Sequence, residues 1–293
     1  MIAIITDDPG WHGRQLMESF ANRGLQAKFV RLQDCHFNLS GANAEIEMPG
    51  FADLPTAVFV RGVPGGSLEQ VVYYLDVLHG LEALGIRVMN NVRSIERSVD
   101  KGMTSFMLKQ HAINTPKTIY SSDYHYISQH LREGLDAGNE FVLKPVFGSQ
   151  GKGLQRISQR SQLIDLSLMH GVVYLQEFID CGHENGVDYR VFVVAEQVIA
   201  SMKRTGQGWI TNVAQGGRVE PVDIGLEAEQ LAVSAVQALA MDYAGVDLMQ
   251  DKAGVFWVTE VNSVPAWKGL QATTEYAIVE AITDHFSAES GLN

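Results

Sequence analysis

Cysteine is scarce in this chain, and long apolar runs, basic tracts and internal repeats are missing from it. The 293 residues include only 2 cysteines, Cys35 and Cys181, which are far apart and form no CxxC pair. A reducing, cytoplasmic environment is therefore the simplest expectation. No apolar run approaches the roughly 20 residues of a membrane helix. The first residues read directly as a strand and show no signal-peptide pattern. We therefore expect a protein with no membrane partner.

Positive charge is also in short supply. The chain has 22 Lys and Arg against 34 Asp and Glu, a net charge of −12, and no long basic run. Because proteins that bind nucleic acid generally present a basic face, this balance argues against a nucleic-acid partner. A local cluster of lysine and arginine can still bind an anionic small molecule. A content of 46% hydrophobic and 19% charged residues is typical of a globular protein.

The order of apolar segments predicts an α/β chain with more than one domain. Strands and helices alternate in residues 1–92, which predicts a small βαβ domain with a parallel sheet. No GxGxxG follows its first strand, so the segment is not a dinucleotide fingerprint. The polar stretch 90–100 predicts a domain connection, and glycine-rich 206–221 predicts a mobile loop. One antiparallel sheet is predicted from three later strands, at 172–179, 189–194 and 197–203.

Three oxygen ligands on two adjacent strands form the most informative feature. Asp247 lies in one apolar run, while Glu260 and Asn262 lie two apart in the next run and so share a face. A short turn at 250–254 predicts that the two runs form a hairpin. Carboxylate and amide oxygens suit Mg²⁺, which is usually shared with substrate phosphates. The hairpin therefore predicts a Mg²⁺ site; partly exposed acidic residues are the plainer alternative.

A lysine and a glycine-rich loop indicate phosphate binding. Lys144 ends an apolar strand, where it can act as a point charge on a phosphate. Shortly after it, Gly148 and Gly151 flank Ser149 and Gln150. Such a loop lets backbone N–H groups close on phosphate oxygens without hindrance from side chains. An ordinary hairpin turn is the alternative interpretation.

The next strands offer groups for a nucleotide base and ribose. The strand that contains Glu177 leads into a hinge, and its backbone groups are placed to read an adenine edge. Asp188 and Arg190 begin the following strand, and Lys203 and Arg204 end the one after it. These pairs can approach phosphates or ribose, with surface ion pairs as the default alternative.

These residues, in this order, resemble the ATP-grasp superfamily, and more closely its RimK-like branch of carboxylate–amine ligases. The resemblance covers about residues 57–288. Nine short elements carry it: 60–62, Asn90 and Asn91 with Lys101, 143–145, 148–151, 176–179, 188–190, Asn212 with Gly216 and Gly217, 245–247, and 260–265. It implies an α/β (α+β) ATP-grasp fold with an N-terminal Rossmann-like pre-ATP-grasp domain at 1–92, a central subdomain at 93–180 and a C-terminal subdomain at 181–293.

The resemblance also implies roles for individual residues. Lys101 and Lys144 would contact the phosphates of ATP together with the loop 148–151. The adenine and ribose would be held by Glu177, Phe178 and Ile179, with Asp188 and Lys203 nearby. Asp247, Glu260 and Asn262 would hold two Mg²⁺ ions, with Mn²⁺ as an alternative metal. The resemblance marks four residues as catalytic: Lys144, Arg190, Lys203 and Asn212.

Members of this family activate a carboxylate as an acylphosphate, which an amine attacks to give an amide, ADP and phosphate. Because carboxylate attack on a γ-phosphate brings two anions together, metal and lysine charge are needed there. A closing glycine-rich loop would exclude water. We therefore expect a ligase that joins a small-molecule or peptide carboxylate to an amino acid. L-glutamate is the expected amine, and a methanopterin- or methanofuran-type carrier is a specific candidate acceptor.

One segment departs from the family pattern. Ile210 and Ala214 stand where RimK-like ligases tend to have Arg and His. The missing arginine would bind an acyl phosphate or a substrate carboxylate, so its loss bears on the substrate and on turnover. Arg218, Arg204 and Arg190 are the candidates to supply the charge instead.

Other classes of function stay open at this stage. The chain also fits another ATP-grasp enzyme, such as a peptide ligase or a D-alanine–D-alanine-like ligase. A non-catalytic nucleotide-binding protein that keeps the fold is a further alternative, although the intact metal set argues against it. Trp209 and Trp267 either stack on an aromatic acceptor or pack in the core. A homo-oligomer is expected by analogy with the family alone.

Overall fold

The computed structural model describes residues 1–148, 151–162, 171–212 and 216–292. The strands are β1 (Ile2–Ile5), β2 (Ala27–Val30), β3 (His36–Asn38), β4 (Glu45–Glu47), β5 (Ala57–Val60), β6 (Arg87–Met89), β7 (Thr118–Ser121), β8 (Phe141–Lys144), β9 (Gln155–Ile157), β10 (Val173–Glu177), β11 (Val187–Val194), β12 (Gln197–Thr205), β13 (Arg218–Pro221), β14 (Tyr243–Gln250) and β15 (Phe256–Asn262). The α-helices are α1 (Gly10–Asn22), α2 (Leu68–Ala83), α3 (Val92–Val99), α4 (Lys101–Gln110), α5 (Tyr124–Asp136), α6 (Gly225–Ala238), α7 (Lys268–Gln271) and α8 (Ile278–Glu289). Two 3₁₀ turns lie at Leu32–Asp34 and Arg160–Gln162.

The first sheet is parallel, as the sequence predicts, with the strand order β2-β1-β5-β6. Every residue of β1 is buried because both faces of the sheet are covered. Ile2 and Ile4 pack with Phe20 of α1, whereas Ala3 and Ile5 pack with Leu78 of α2. The helices α1 and α2 therefore lie on opposite faces of this sheet, and α8 closes the face that carries α1.

Two antiparallel sheets follow, with the orders β7-β10-β8-β9 and β13-β12-β11-β14-β15. The predicted single sheet of the strands at 172–179, 189–194 and 197–203 is therefore wrong. β10 pairs with β7 and β8, while β11 and β12 belong to the other sheet. Strand patterns alone do not reveal this division, because the nine residues between β10 and β11 redirect the chain and no tight hairpin turn fixes their pairing.

Two stretches expected to be irregular contain regular structure. The predicted domain connection at 90–100 holds α3, because Asn91 caps its first turn by accepting a hydrogen bond from the Ser94 N–H and Val92 and Ile95 are buried. The predicted mobile loop at 206–221 ends in β13, an edge strand on β12. Across the described ranges, none of the helices combines the length and hydropathy needed to cross a bilayer.

The buried side chain of Asn90 forms four hydrogen bonds between the first sheet and the third. Asn90, directly after β6, is fully buried. Its Oδ1 accepts hydrogen bonds from the backbone N–H groups of Asp242 (2.7 Å) and Tyr243 (3.1 Å). Its Nδ2 donates to the carbonyl oxygens of Tyr243 (2.8 Å) and Ser263 (2.7 Å). The carboxamide thus has partners for both N–H groups and both lone pairs, and it fixes β14 and the end of β15 against β6.

We expect the substitution Asn90→Ala to lower the free energy of unfolding by about 3 kcal/mol or more. It leaves several buried backbone groups without partners, each at a cost of roughly 1–3 kcal/mol. Chemical denaturation measures the change, and Asn22→Ala is the matched control because Asn22 is exposed at the end of α1. Equal stability of the two variants would show that Asn90 does not hold the sheets together.

Candidate nucleotide and metal site

The hairpin of β14 and β15 forms as the sequence predicts. Asp247 lies directly opposite Glu260, and Gly245 lies directly opposite Asn262. Residues directly opposite each other on paired strands share a face, so the three predicted ligands are on one side of the sheet. The register shifts after Asp247 because Thr259 is an extra residue on β15. Bulges of this kind often occur beside active sites, where they redirect a side chain.

Asp247 is buried between two arginines. Both side-chain oxygens contact the guanidinium of Arg190, with Nη2 to Oδ2 at 2.8 Å, and Nη2 of Arg204 lies 3.0 Å from Oδ2. Burial alone would raise the pKa of Asp247, but the charges of Arg190 and Arg204 outweigh burial and hold it at about 2. Asp247 is therefore ionised throughout the neutral range.

A second buried carboxylate completes this network. Asp188 accepts hydrogen bonds from Nε (2.6 Å) and Nη2 (2.7 Å) of Arg204 and from the Thr211 hydroxyl. Burial raises the pKa of Asp188, while the charge of Arg204 opposes the rise. Arg204 thus bridges Asp188 and Asp247, and two arginines compensate two carboxylates inside the protein, where an unpaired charge would be costly.

Glu260 is the carboxylate left available on this face. In the described part of the chain it has no hydrogen bond and no ion pair. Asn262 donates from Nδ2 to the Gly245 carbonyl at 3.4 Å, which leaves its Oδ1 as an acceptor. Glu260, Asn262 and a remaining lone pair of Asp247 are hard oxygen donors and fit Mg²⁺ that also takes phosphate oxygens. Among the described residues, no three His, Cys, Asp or Glu side chains form a metal cluster by themselves.

Two lysines lie near this hairpin, one on the second sheet and one at the start of α4. Lys144, the last residue of β8, donates from Nζ to Gln176 Oε1 at 2.6 Å. Burial lowers the pKa of Lys144 to about 8, against the opposing charge of Glu260. Lys101, at the start of α4, donates to the carbonyls of Val146 (3.1 Å) and Gly148 (2.9 Å), and burial lowers its pKa as well. Both cations are therefore held beside the glycine-rich loop.

A cleft lies between the second and third sheets. Eight of the predicted site residues line it: Lys144, Glu177, Phe178, Ile179, Asp188, Asn212, Asp247 and Glu260. At one end, Trp209 meets Phe178 edge-on, with their ring centroids 6.2 Å apart. Arg156 covers Phe178, with its guanidinium carbon 3.9 Å from the ring centroid. Trp209 therefore lies at the hinge end of the cleft.

The other predicted site residues either do not line the cleft or lie outside the described residues. Gly148 does not line the cleft, and its carbonyl accepts a hydrogen bond from Lys101. Gly151 has a positive φ of 70°, which glycine adopts without strain. Ser149 and Gln150 lie outside the described residues, as does Ala214. Trp267 is fully buried in the core, so it cannot stack on an acceptor; of the two alternatives, core packing applies.

The prediction for Lys203 is wrong in placement. Lys203 pairs in register with Tyr189, whereas Arg204 pairs with Asp188, so the two basic residues point to opposite faces of the sheet. Lys203 makes an ion pair with Glu220 of β13 at 2.8 Å. The buried cation that lines the cleft beside Asp188 is Arg204.

Two polar contacts in the cleft were missed by sequence reasoning. Gln176 anchors Lys144, and Thr211 anchors Asp188. Gln176 carried a signal, because it is a polar residue in the otherwise apolar strand β10. Thr211 lies in an irregular loop and carried no comparable signal.

Comparison with solved structures shows which fold this cleft belongs to. The chain superposes on PsnB, an ATP-grasp ligase solved with a phosphomimetic variant of its minimal precursor, Mg and ADP. The TM-score is 0.76, at 20% identity over 99% of this chain and 98% of that one. A RimK-domain ATP-grasp protein of Sphaerobacter thermophilus gives a TM-score of 0.70, at 19% identity over 97% and 98% of the two chains. The protein therefore has the ATP-grasp fold.

Sequence comparison defines the family within this fold. The family model of the RimK-like ATP-grasp domain matches residues 98–286. The tetrahydromethanopterin:alpha-L-glutamate ligase of Methanococcus maripaludis is 36% identical over 235 residues, 77% of each chain. A probable alpha-L-glutamate ligase of Legionella pneumophila is 27% identical over 99% of this chain and 96% of that one. The chain belongs to the RimK-like ATP-grasp family and is an ATP-dependent ligase that forms carbon–nitrogen bonds. ATP and Mg²⁺ are typical of such enzymes.

We expect Asp247→Asn to lower the free energy of unfolding by about 3 kcal/mol at pH 7, because it leaves Arg190 and Arg204 partly unpaired inside the protein. The pKa of Asp247 lies below its ordinary value of 3.8. Its ionised form therefore stabilises the fold above that value, and this contribution is lost as pH falls from 3.8 to about 2. The variant should lose less stability than the wild type across this interval.

Urea denaturation as a function of pH measures both effects. Asp76→Asn is the matched control, because Asp76 is exposed on α2 and its replacement should change stability by less than about 0.5 kcal/mol. If the free energy of unfolding falls equally with pH below 3.8 in the wild type and in Asp247→Asn, the lowered pKa of Asp247 is contradicted.

Proposed function

We propose that this ligase joins L-glutamate to the carboxylate of a small-molecule acceptor through an acylphosphate. The observation that carries the proposal is the position of the unpaired Glu260 on the same face as the doubly paired Asp247, with Lys144 across the cleft. The names of the relatives support glutamate as the amine and make a methanopterin-type carrier the specific candidate acceptor.

The nucleotide would lie along the cleft from the hinge to the hairpin. Phe178 and Ile179 would hold the base, and Glu177 would contact the ribose. Lys144 and Lys101 would contact the phosphates together with the loop 148–151. Because phosphate charge favours the protonated lysine, binding would raise the lowered pKa of Lys144 toward its ordinary value.

The charges around the reacting groups would be supplied by side chains from both strands of the hairpin and from β11 and β12. Glu260, Asn262 and Asp247 would hold Mg²⁺, with Mn²⁺ as a substitute, and the ion would neutralise the phosphate oxygens. Arg204 and Arg190 are fixed by their carboxylate partners, so they would present charge without further ordering. Arg204 lines the cleft together with Ile210, and it would replace the arginine that this segment lacks.

The acceptor-dependent release of ADP tests the proposal. We expect ADP and a product heavier by one glutamyl residue when Mg²⁺-ATP, L-glutamate and the correct carboxylate are combined, with tetrahydromethanopterin included in the panel. Glu260→Gln keeps the shape of the side chain and removes its charge, and it should lower kcat by about 100-fold or more because a metal ligand is lost.

Other outcomes identify the other functions. Product formation with a different amino acid or with a peptide acceptor would indicate another ATP-grasp ligase. ATP binding without ADP release for every acceptor would favour a non-catalytic nucleotide-binding protein. Light scattering on the same sample tests the predicted homo-oligomer. The cytoplasmic location and the domain boundaries stay predictions.

Kinetics can show whether Trp209 contacts the nucleotide base or the acceptor. Because Trp209 lies beside Phe178, we propose that it packs against the base and not against an aromatic acceptor. Trp209→Ala should raise KM for ATP by about fivefold, from the loss of one aromatic contact of about 1 kcal/mol, with little change in KM for the acceptor. Trp209→Phe is the matched control and should recover most of the affinity. A rise confined to the acceptor KM would reverse this assignment.

A further inference from the structure

Arg61, which directly follows β5, is a partly buried cation that forms no ion pair with a carboxylate of the described residues. Its Nε is buried and has no hydrogen-bond partner in the part of the chain that the structure describes. Its Nη1 makes one long contact, 3.4 Å, with the Val264 carbonyl, and its guanidinium carbon lies 5.3 Å from the Trp267 ring centroid. Burial lowers the pKa of Arg61, against the smaller opposing effects of Tyr243 and Asp8. An arginine held in this way retains unused capacity to bind an anion.

The position of Arg61 in the first sheet is one where ligands commonly bind. β1 lies between β2 and β5, and the helices that follow β1 and β5 pack on opposite faces. The chain connections therefore diverge at the carboxyl ends of β1 and β5, which opens a crevice there. Arg61 comes from one side of this crevice, and His12 of α1 comes from the other.

His12 and Lys268 add polar hydrogens and positive charge to the same place. His12 Nε2 accepts hydrogen bonds from the backbone N–H groups of Trp267 (3.1 Å) and Lys268 (3.2 Å). Burial, Arg61 and Lys268 together lower the pKa of His12 to about 4, so the ring is neutral at pH 7. With Nε2 as the acceptor, the ring proton is on Nδ1, which is a donor. The side chain of Lys268 is exposed beside it.

Residues along β14 show where Arg61, His12 and Lys268 lie relative to the cleft. Met249, Asp247 and Gly245 alternate along one face. Met249 lies with Phe178 at the hinge end, and Asp247 marks the metal position. At Gly245 a Cβ atom would come within 2.9 Å of Pro265 and 3.1 Å of Arg190 Nη1, so only glycine allows this close approach.

Pro265 directly follows Val264, whose carbonyl contacts Arg61. Along β14 the order is therefore Met249 at the hinge, Asp247 at the metal position and Gly245 against Pro265, whose neighbour Val264 contacts Arg61. A nucleotide bound from the hinge to the metal ligands would place its terminal phosphate on the side of Arg61.

We propose that Arg61, together with Lys268 and the Nδ1–H of His12, binds a carboxylate of the amino acid whose amine attacks the acylphosphate. This inference rests on the proposed function. L-glutamate brings two carboxylates that the reaction does not consume, and each needs a positively charged or hydrogen-bonding partner. Arg190 and Arg204 are already paired with Asp247 and Asp188, whereas Arg61 is not.

Steady-state kinetics of Arg61→Gln test the assignment. We expect KM for L-glutamate to rise by about tenfold to a hundredfold, as for the loss of a charged hydrogen-bonded pair, while KM for ATP and for the acceptor stays the same. Arg61→Lys should recover part of the affinity because it keeps the charge and loses the fork of donors. Arg14→Gln is the matched control, because Arg14 is exposed on α1 and its loss removes the same charge from the same domain.

Stability separates a binding role from a structural one. Because Arg61 has no carboxylate partner among the described residues, Arg61→Gln should leave Tm unchanged or raise it. A lower Tm together with a general loss of activity would show that Arg61 supports the fold, and it would overturn the proposal. An unchanged KM for L-glutamate, or a rise only in KM for the acceptor, would overturn it as well.

A binding measurement keeps this inference independent of turnover. Trp267 lies beneath the Arg61 guanidinium, so its fluorescence should change saturably when L-glutamate is added with Mg²⁺-ADP. The change should be lost in Arg61→Gln and kept in Arg14→Gln. If the wild type binds L-glutamate in this way but never releases ADP, the proposed ligation fails and the carboxylate site stands. If ADP is released but both variants bind L-glutamate equally, the carboxylate site fails alone.

Discussion

The four hydrogen bonds of Asn90 are the constraint on which the rest of the structure depends. They connect the end of β6 to both strands of the hairpin that carries Asp247 and Glu260. The hairpin therefore has a fixed position relative to the first sheet, and Arg61 at the carboxyl end of β5 has a fixed position relative to the metal ligands. A buried carboxamide with every donor and acceptor satisfied provides this rigidity without placing a charge in the core.

The cleft carries positively charged side chains although the whole chain has a net negative charge. The protein has a net charge of −12, yet Lys144 of β8 and Arg204 of β12 line the cleft, and Arg190 of β11 contacts Asp247 there. Asp247 and Asp188 are each paired with arginine, whereas Glu260 has no hydrogen-bond or ion-pair partner among the described residues. Buried ion pairs of this kind add little net stability, but they fix the orientation of the groups involved. An orientation set before the substrates arrive favours a reaction between anions.

Several features of the site could be read from local sequence alone, and others could not. The hairpin of Asp247 and Glu260 was predictable because alternation and a short turn determine which side chains share a face. The choice between Lys203 and Arg204 depended on the register of β11 with β12, which adjacent basic residues do not reveal. The separation of β10 from β11 into different sheets was also hidden, because strand propensity says nothing about which strand becomes the partner.

The sequence by itself determined the parallel N-terminal sheet, the ligand-bearing hairpin and the resemblance to the ATP-grasp ligases, because each rests on periodicity or on short ordered motifs. Only the tertiary structure decided which charges are compensated. Asp247 and Arg204 are 43 positions apart in the chain, and Arg61 and Val264 are separated by 203. Their contacts arise from the packing of three sheets, so the available carboxylate of Glu260 and the unpaired guanidinium of Arg61 become visible only in the folded chain.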